Sequence, residues 1–358
     1  MDVRNNFRKS VLDISAYNVS GHPAKIKLNQ NESPFDIPDK LKREIIEEFV
    51  RIHWNRYPDV FSRTLPERFA TMYGLPVASF IASNGSNELI YTIEMALVEH
   101  GTEVLIPQPT FYLFEKVALI LGGRVRKVFA EPSLEFNEEE IMRVASSMPS
   151  GLIILGSPNN PTGKSVSDGF IEELLKSTPA MVLVDEAYIE FSPKESVIGL
   201  TKTFKNLIVL RTFSKAYSLA GLRVGYLIAH PDTASQVLKV KIPFTVNPLS
   251  EFTAMKLLED RRLFTERVEF LKRQKVIMAE SLRKISRVKV VDSDANFFLF
   301  SAPMQATKLF EQLLEKKSVL IRDVTSYPML DNYLRVNVGS EEECRYFVES
   351  VKSCLENQ

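Results

Sequence analysis

Between about Ser79 and Ala229, short apolar runs alternate with amphipathic stretches, and this alternation restricts the chain to few folds. Most of the runs lack a polar residue at every second position, which is typical of strands covered on both faces. The runs are Phe80-Ile81, Val104 to Ile106, Val125 to Phe129, Leu152 to Leu155, Met181 to Val184, Leu207 to Leu210 and Val224 to Ala229. This βαβ rhythm predicts an α/β fold with a mostly parallel, seven-stranded sheet flanked by helices.

The rhythm changes after about Val246, where a smaller α+β domain is predicted. Its expected elements are a long helix over about 260–285, strands at 288–291 and 296–300, a helix near 307–315, strands near 319 and 334, and a last helix from 341. We therefore divide the chain into an N-terminal arm (1–35), a large cofactor-binding domain (36–246) and a small C-terminal domain (247–358).

Composition excludes several classes of partner. Lys plus Arg and Asp plus Glu both number 45 in 358 residues, so there is no general attraction to nucleic acid or to an anionic membrane. No apolar run approaches the roughly 18 residues that span a bilayer. Cys344 and Cys354 lie on one predicted helix, too far apart to bridge each other. We expect a cytoplasmic protein that binds small molecules.

The segment Thr212-Phe-Ser-Lys215-Ala-Tyr-Ser-Leu-Ala-Gly-Leu-Arg223 follows the apolar run 207–210. We expect Lys215 in the first turn of a helix, where the positive end of the dipole favours a neutral amine. A neutral amine is the form that makes a Schiff base with an aldehyde. The hydroxyls and Arg223 suit a phosphate. An aldehyde that also carries a phosphate is pyridoxal phosphate, so the segment predicts that cofactor.

Other candidate contacts also follow predicted strands, where ligands of open α/β sheets collect. Asp185 ends an apolar run, and a pyridinium N–H would keep its carboxylate ionised despite burial. Asn160, in the loop 156–163, and the Tyr188 hydroxyl could donate to the cofactor's phenolate oxygen. Phe111 could stack on its ring.

The segment Asn84-Gly-Ser-Asn-Glu88 opens a predicted helix, whose free N–H groups would receive a phosphate. Each of these signals has an ordinary alternative: a helix cap or turn for Asp185, for Asn160 and for this segment, and core packing for Phe111. Their common position at successive strand ends favours the cofactor. A P-loop is excluded, because six residues separate Gly156 from Gly163 where that motif has four.

The segments Ser157-Pro-Asn-Asn-Pro-Thr-Gly163, Asp185-Glu-Ala-Tyr188, and Ser214-Lys215 with Gly221-Leu-Arg223-Val-Gly-Tyr226 resemble the class I and II aminotransferases of fold type I. The resemblance covers nearly the whole chain. It implies that Lys215 is the Schiff-base lysine and general acid–base, that Asp185 is the pyridinium partner, and that Asn160 and Tyr188 contact the phenolate. It assigns the cofactor phosphate to Ser86, Asn87, Thr212, Ser214 and Arg223. No metal is implied.

Within that family the chain looks most like the histidinol-phosphate aminotransferases, through segments 28–32, 56–59, 321–323, 327–330 and 334–339. This implies ping-pong amino transfer between L-histidinol phosphate and 2-oxoglutarate in histidine biosynthesis. Arg335 matches the substrate-carboxylate arginine, and Tyr17 and Arg322 match positions that hold the substrate phosphate. Tyr57 matches a tyrosine that reaches the neighbouring subunit's cofactor, which implies a homodimer with shared sites. Phe111 stands where a tyrosine is frequent, so only stacking is expected of it.

Rival functions remain open at this point. A threonine-phosphate decarboxylase would have the same cofactor contacts and a similar 321–328 segment, and an aromatic or broad-specificity aminotransferase would differ only in substrate. A non-catalytic, ligand-sensing domain on the same scaffold is a rival from another class. An ion pair is the ordinary alternative for Arg322 and Arg335.

Overall fold

The computed structural model describes residues 2–16 and 22–356. Its largest sheet has seven strands in the order β2-β8-β7-β6-β5-β3-β4. They are Phe80–Ser83 (β2), Glu103–Gln108 (β3), Arg124–Phe129 (β4), Leu152–Gly156 (β5), Met181–Asp185 (β6), Leu207–Thr212 (β7) and Gly225–Ala229 (β8). Strands β3 to β7 pair in parallel, and β8 runs antiparallel to both of its neighbours. The predicted seven-stranded, mostly parallel sheet is confirmed.

The central strands are apolar on both faces because the sheet lies between two separate core layers. In β5, Ile153 and Leu155 pack into one layer, and Leu152 and Ile154 pack into the other. Side chains of a strand alternate between the faces of the sheet, so a strand covered on both sides must be apolar at every position. This explains why the sequence shows continuous apolar runs there.

Helices cover this sheet and connect its strands. They are Ser86–Leu97 (α4), Tyr112–Leu121 (α5), Glu138–Ser146 (α6), Phe170–Ser177 (α7) and Pro231–Leu238 (α8). Helix α6 shows the local reason for one start, since the Asn137 side chain accepts a hydrogen bond from the Glu140 N–H and three glutamates fill the first turn. Three helices precede the sheet: Lys9–Leu12 (α1), Asp39–Phe49 (α2) and Thr64–Tyr73 (α3).

The C-terminal part contains a four-stranded antiparallel sheet in the order β12-β13-β10-β9. Its strands are Lys289–Val290 (β9), Phe297–Ser301 (β10), Arg322–Asp323 (β12) and Leu334–Asn337 (β13), and its helices are Pro248–Glu259 (α9), Arg262–Arg283 (α10), Ala306–Lys317 (α11) and Glu341–Glu356 (α12). The predicted long helix corresponds to α10 within two residues at each end. No helix of residues 2–16 and 22–356 is long and apolar enough to cross a bilayer.

The N-terminal segment is bound to the C-terminal part. Strand β1 (Ile26–Lys27) pairs in parallel with β11 (Val319–Leu320), and the Leu28 N–H donates to the Leu320 carbonyl at 2.8 Å. The following residues contact the end of β13, where the Asn337 N–H donates to the Leu28 carbonyl at 3.2 Å. This pairing between distant residues was not predicted.

The expectation that Lys215 begins a helix is wrong. After β7 the chain makes a compact turn, in which the Leu219 N–H donates to the Phe213 carbonyl at 3.0 Å, and only Ala220–Leu222 forms a short 3₁₀ turn. Ser218 and Arg223 have φ values of 61° and 55°, in the left-handed region that a right-handed helix excludes. A helix dipole therefore does not act on Lys215.

Candidate active site

A cavity of about 420 Å³ opens at the carboxyl ends of β5, β6 and β7. Gly156, Asp185 and Thr212, the last residues of these three strands, all line it. Ser86, at the start of α4, and Arg322 and Arg335 from the four-stranded sheet complete the enclosure. The cavity thus lies where the two sheets face each other, the position expected of a ligand site in an open α/β fold.

The cavity brings together twelve of the residues singled out from the sequence. They are Ser86, Asn87, Phe111, Asn160, Asp185, Tyr188, Thr212, Ser214, Lys215, Arg223, Arg322 and Arg335. Tyr57 does not line the cavity of its own chain; it is 84% exposed, with its ring 4.8 Å from that of Phe244. Tyr17 lies outside the described residues.

Lys215 is half-buried, and its Nζ donates to the Gln30 carbonyl at 2.9 Å. Burial lowers the pKa of this amine to about 7, and the positive charge of Arg335 acts in the same direction. A substantial fraction of the amine is therefore neutral near pH 7. Burial and a neighbouring cation produce the reactivity that the sequence argument had assigned to a helix dipole.

The Asp185 carboxylate accepts a hydrogen bond from the Ala187 N–H at 3.0 Å. Burial raises the pKa of this carboxyl to about 6, and the adjacent Glu186 acts in the same direction, although the Ala187 bond and the Lys215 charge oppose the rise. A carboxyl in this position gains from a cationic hydrogen-bond donor in the cavity. A protonated ring nitrogen has that character.

A second polar cluster lies at the start of α4. The Ser214 hydroxyl oxygen accepts a hydrogen bond from Arg223 Nη1 at 3.0 Å and another from the Thr212 hydroxyl at 3.0 Å. The N-cap of α4 is Gly85, which has no side chain to bond the free N–H groups of the first turn. Hydroxyls, a guanidinium and a helix N-terminus together suit a phosphate dianion.

Gly85 is what allows Arg223 to reach this position. A Cβ at Gly85 would lie 2.4 Å from Arg223 Nη2, closer than any real contact, and the φ of Gly85 is +82°. The guanidinium therefore packs against bare backbone at the helix start. A larger residue there would move the arginine out of the cluster.

The cavity residues fit pyridoxal phosphate. They provide an amine with a lowered pKa, a carboxyl whose pKa burial raises despite the nearby Lys215 charge, and a polar cluster shaped by a glycine for an anion. Phe111 offers an aromatic face, packed edge-on against Phe114 at 5.6 Å between ring centroids. Within residues 2–16 and 22–356, no cluster of three His, Cys, Asp or Glu side chains could hold a metal ion.

Two arginines enter the cavity from neighbouring strands. Arg322 of β12 and Arg335 of β13 are directly opposite in the antiparallel register. Arg335 is 7% exposed, contacts the Asn160 side-chain oxygen through Nη1, and donates through Nη2 to the Asn29 carbonyl at 2.7 Å. The pair concentrates positive charge near Lys215, which favours anionic substrates.

Sequence reasoning assigned no role to the residues Asn29, Gln30 and Asn31, although all three line the cavity. Tyr327 also lines it. The asparagine-rich run Leu28-Asn-Gln-Asn is a candidate signal in the sequence, because asparagine side chains readily bond backbone groups outside regular helices and strands. Its meaning depended on the pairing of β1 with β11, which the sequence alone did not predict.

Comparison with known proteins gives one family. The family model for aminotransferase class I and II matches residues 23–351. A histidinol-phosphate aminotransferase of Chlorobaculum parvum is 44% identical over 342 residues, which cover 95% of this chain and 96% of that protein.

Solved structures with the same architecture include two of interest. A histidinol-phosphate aminotransferase from Sinorhizobium meliloti in complex with pyridoxal-5'-phosphate has a TM-score of 0.87 at 21% identity, covering 98% of each chain. An L-threonine-O-3-phosphate decarboxylase from Porphyromonas gingivalis has a TM-score of 0.82 at 26% identity, covering 92% of this chain and 99% of the other. At 21% identity, the first likeness concerns the fold.

Proposed function

The chain belongs to the class I and II aminotransferases, pyridoxal phosphate enzymes, and from this premise we propose that it moves the amino group between L-histidinol phosphate and 2-oxoglutarate, a step of histidine biosynthesis. The observation that carries the proposal is the pair Arg322 and Arg335 facing Lys215 in one cavity. The relative from Chlorobaculum parvum, similar over nearly its whole length, supports the same substrate.

The arginines explain how one cavity accepts two different substrates. Histidinol phosphate carries a phosphate and no carboxylate, whereas glutamate and 2-oxoglutarate carry carboxylates. An arginine fork grips either anion with two parallel hydrogen bonds. Arg335 binds the anionic group of each substrate in turn, and Arg322 adds the second charge that a phosphate dianion needs.

When bound, pyridoxal phosphate supplies an electron sink for the substrate carbon and carries the amino group between the two substrates. The neutral Nζ of Lys215 would accept a proton from that carbon as general base and, as general acid, deliver it to the cofactor carbon that takes up the amino group. Asp185 would accept a hydrogen bond from the protonated ring nitrogen and keep it charged. Asn160 and Tyr188 would donate to the phenolate oxygen, and Phe111 would stack on the ring. The phosphate would be held by Ser86, Asn87, Thr212, Ser214 and Arg223.

A half-reaction screen tests the proposal. Each candidate amine is added to the holoenzyme, and the loss of the visible absorption of the bound cofactor is followed. Histidinol phosphate should react fastest, followed by glutamate. In steady-state assays, histidinol phosphate and 2-oxoglutarate should give parallel initial-rate lines because they use the cavity in turn. Lys215→Ala should show no turnover.

The same screen separates the rival functions. Release of carbon dioxide from O-phosphothreonine would identify a decarboxylase, which the likeness to the Porphyromonas gingivalis enzyme keeps as the second candidate. Faster reaction with phenylalanine than with histidinol phosphate would identify an aromatic aminotransferase. Cofactor binding with no reaction of any amine would point to a sensing domain and contradict the proposal.

We also propose a homodimer in which Tyr57 reaches the cofactor of the neighbouring subunit. The support is the exposed ring pair of Tyr57 and Phe244, 84% and 39% exposed, with centroids 4.8 Å apart. Trp54 and Ile242, close to them in the sequence, are 68% and 59% exposed. Exposed Trp and Tyr side chains are typical of protein interfaces.

Two further assignments stay proposals. The division into an arm (1–35), a large domain (36–246) and a small domain (247–358) is supported by the separation of the two larger sheets, which lie within residues 80–229 and 289–337. A cytoplasmic location is supported by Cys344 and Cys354, which are both free and buried.

A further inference from the structure

Asn31 has an unusual backbone and almost no exposure. Its φ is 55°, in the left-handed region, and it is 1% exposed. Left-handed backbone costs an asparagine less than most residues, yet it persists only where surrounding contacts hold it. Asn31 also lines the cavity. None of the roles assigned above uses this residue.

Two asparagines of the C-terminal part hold the Asn31 backbone. The Asn31 N–H donates to Asn337 Oδ1 at 3.0 Å, and the Asn31 carbonyl accepts from Asn296 Nδ2 at 3.2 Å. Asn337 ends β13 and Asn296 directly precedes β10, so both contacts come from adjacent strands of the four-stranded sheet. All three residues are at most 3% exposed, and these bonds are therefore shielded from water.

The side chain of Asn31 points to the Tyr188 hydroxyl. Asn31 Nδ2 donates to Tyr188 Oη at 2.9 Å. Tyr188 is held from its other side by Phe297, edge-on with ring centroids 5.0 Å apart. Because the phenol oxygen accepts from Asn31, the phenol's own proton is left for a different acceptor.

Burial keeps that proton on the Tyr188 hydroxyl. Burial raises the pKa of this phenol to about 12, and the negative charge of Asp185 and the nearby Tyr327 act in the same direction, although Arg335 and the Asn31 bond oppose the rise. The Lys215 amine lies 5.8 Å from the centre of the Tyr188 ring. Tyr188 is therefore a neutral donor at physiological pH.

We propose that Asn31 is a positioning residue that sets the direction of the Tyr188 hydrogen bond, so that this hydroxyl donates to the phenolate oxygen of pyridoxal phosphate. The inference rests on the proposed function for its cofactor. Asn337 and Asn296 fix Asn31, so the four-stranded sheet controls a hydrogen bond at the cofactor ring. The link is a contiguous set of buried hydrogen bonds from β10 and β13 to β6.

Replacing Asn31 by aspartate tests whether the residue sets the direction of the Tyr188 hydrogen bond or only fills space. At pH values where its carboxyl is ionised, an aspartate in this position can only accept, so Asn31→Asp would draw the Tyr188 proton towards itself and away from the cofactor. Asn31→Ala removes the donor without supplying an acceptor. A role in packing alone would make the alanine variant the more damaging one.

The test is a double-mutant cycle on the pH midpoint of the visible absorption of the bound cofactor. A donor bond to the phenolate oxygen favours the state in which that oxygen bears its full negative charge, so losing the bond raises the midpoint. We expect a rise of about one unit in Asn31→Asp, of the size of a charged hydrogen bond, and a smaller rise in Asn31→Ala. In a Tyr188→Phe background both shifts should fall below about 0.3 unit, because the hydroxyl that transmits them is gone.

Controls separate this result from general damage. Asn332 is an exposed amide of the C-terminal part whose side chain bonds backbone groups of Ala302 and Ala306, so Asn332→Ala should leave the midpoint unchanged. If Asn31→Asp does not fold, Asn337→Ala should raise the midpoint in its place, because it frees the Asn31 backbone. Melting temperature of the apoenzyme and dissociation constant for pyridoxal phosphate are measured for every variant.

Equal shifts with and without the Tyr188 hydroxyl would overturn the proposal, as would unchanged midpoints in the Asn31 variants. Failure of the unaltered protein to bind pyridoxal phosphate would instead remove the proposed function, and the inference with it. The two failures are therefore distinguishable in one set of spectra.

Discussion

Lys215 and Asp185 carry opposite charges in water, and burial moves both towards their neutral forms. The pKa of Lys215 falls to about 7 and that of Asp185 rises to about 6, each with burial as the largest cause. Two ionisable groups with strongly shifted pKa values in one cavity are characteristic of a functional site. A cofactor with a protonated ring nitrogen would restore the charge of Asp185, and an aldehyde would consume the neutral amine of Lys215.

Glu94 is the other strongly shifted carboxyl, and it lies away from the cavity. It is fully buried in α4, neither of its carboxylate oxygens has a hydrogen-bond partner among the described residues, and burial raises its pKa to about 9. The folded protein therefore holds a proton here that the unfolded chain loses above about pH 4.5. Stability from this group is lost as pH rises from about 4.5 towards 9.

Glu94→Gln should therefore stabilise the protein at alkaline pH. We expect a gain of about 2–4 kcal/mol in the free energy of unfolding at pH 8 and little change at pH 5, because glutamine needs no proton to be neutral. Denaturant unfolding at the two pH values measures this. Glu99→Gln, at an exposed position of the same region, is the control, and a gain independent of pH would contradict the argument.

At the scale of elements, the start of α4 shows how one backbone conformation creates an anion site. Gly85 and Gly169 are both helix N-caps, with φ of +82° and +84°. Only Gly85 faces an arginine; the Cβ of an alanine at Gly169 would meet nothing within 4 Å. An alanine at either glycine strains the backbone, but only an alanine at Gly85 also displaces Arg223. Comparing the two substitutions therefore separates these two effects.

Gly85→Ala should weaken pyridoxal phosphate binding by about 10- to 100-fold, because Arg223 must leave its place and a charged hydrogen bond is lost. Gly169→Ala should lower stability by about 1 kcal/mol through its positive φ and leave cofactor affinity intact. Fluorescence titration of the apoenzymes with pyridoxal phosphate gives both affinities. Equal affinities in the two variants would show that the phosphate does not bind at this cluster.

At the scale of the whole molecule, the site depends on parts of the chain far apart in sequence. Strand β1 pairs with β11, and this places Gln30 and Asn31 against Lys215 and Tyr188. A buried ion-pair group of Arg211 with Glu186 and Glu190, at 2.7 and 3.1 Å, lies directly beside the Asp185 strand end. The proposed dimer would add Tyr57 from a second chain.

Shared sites can be tested by mixing an inactive chain with an impaired one. Lys215→Ala lacks the reactive amine, and Tyr57→Ala should have activity reduced by about 10- to 100-fold through loss of a buried hydroxyl contact. A hybrid dimer of the two variants contains one site with both residues intact if Tyr57 acts across the interface. When the mixture is refolded or co-expressed, each hybrid dimer should have up to half of the specific activity of the unaltered dimer. Its KM should equal that of the unaltered enzyme.

Size-exclusion chromatography with light scattering measures the oligomeric state of the same samples. The Lys215→Ala and Tyr57→Ala chains should each remain dimers on their own. A mixture no more active than the Tyr57→Ala protein it contains would show that Tyr57 acts within its own chain, or not at all.

The amino-acid sequence by itself determined the seven-stranded sheet, the strand ends that bear Asn160, Asp185 and Thr212, and the family. These features are local: a continuous apolar run predicts a buried strand, and the residues directly after each parallel strand lie at the same edge of the sheet. Segment motifs then identified Lys215 and Arg223 without any knowledge of their surroundings.

Only the tertiary structure decided what surrounds those residues. Four features of the site depend on tertiary structure. The chain at Lys215 forms no helix, and Arg223 packs against Gly85. Arg322 lies opposite Arg335 in neighbouring strands, and hydrogen bonds with Asn337 and Asn296 hold the Asn31 backbone. Burial and neighbouring charge set a pKa, and neither is a property of a residue's sequence neighbours. The sequence motif therefore predicts that an amine stands at position 215, whereas the tertiary structure lowers the pKa of that amine through burial and the charge of Arg335.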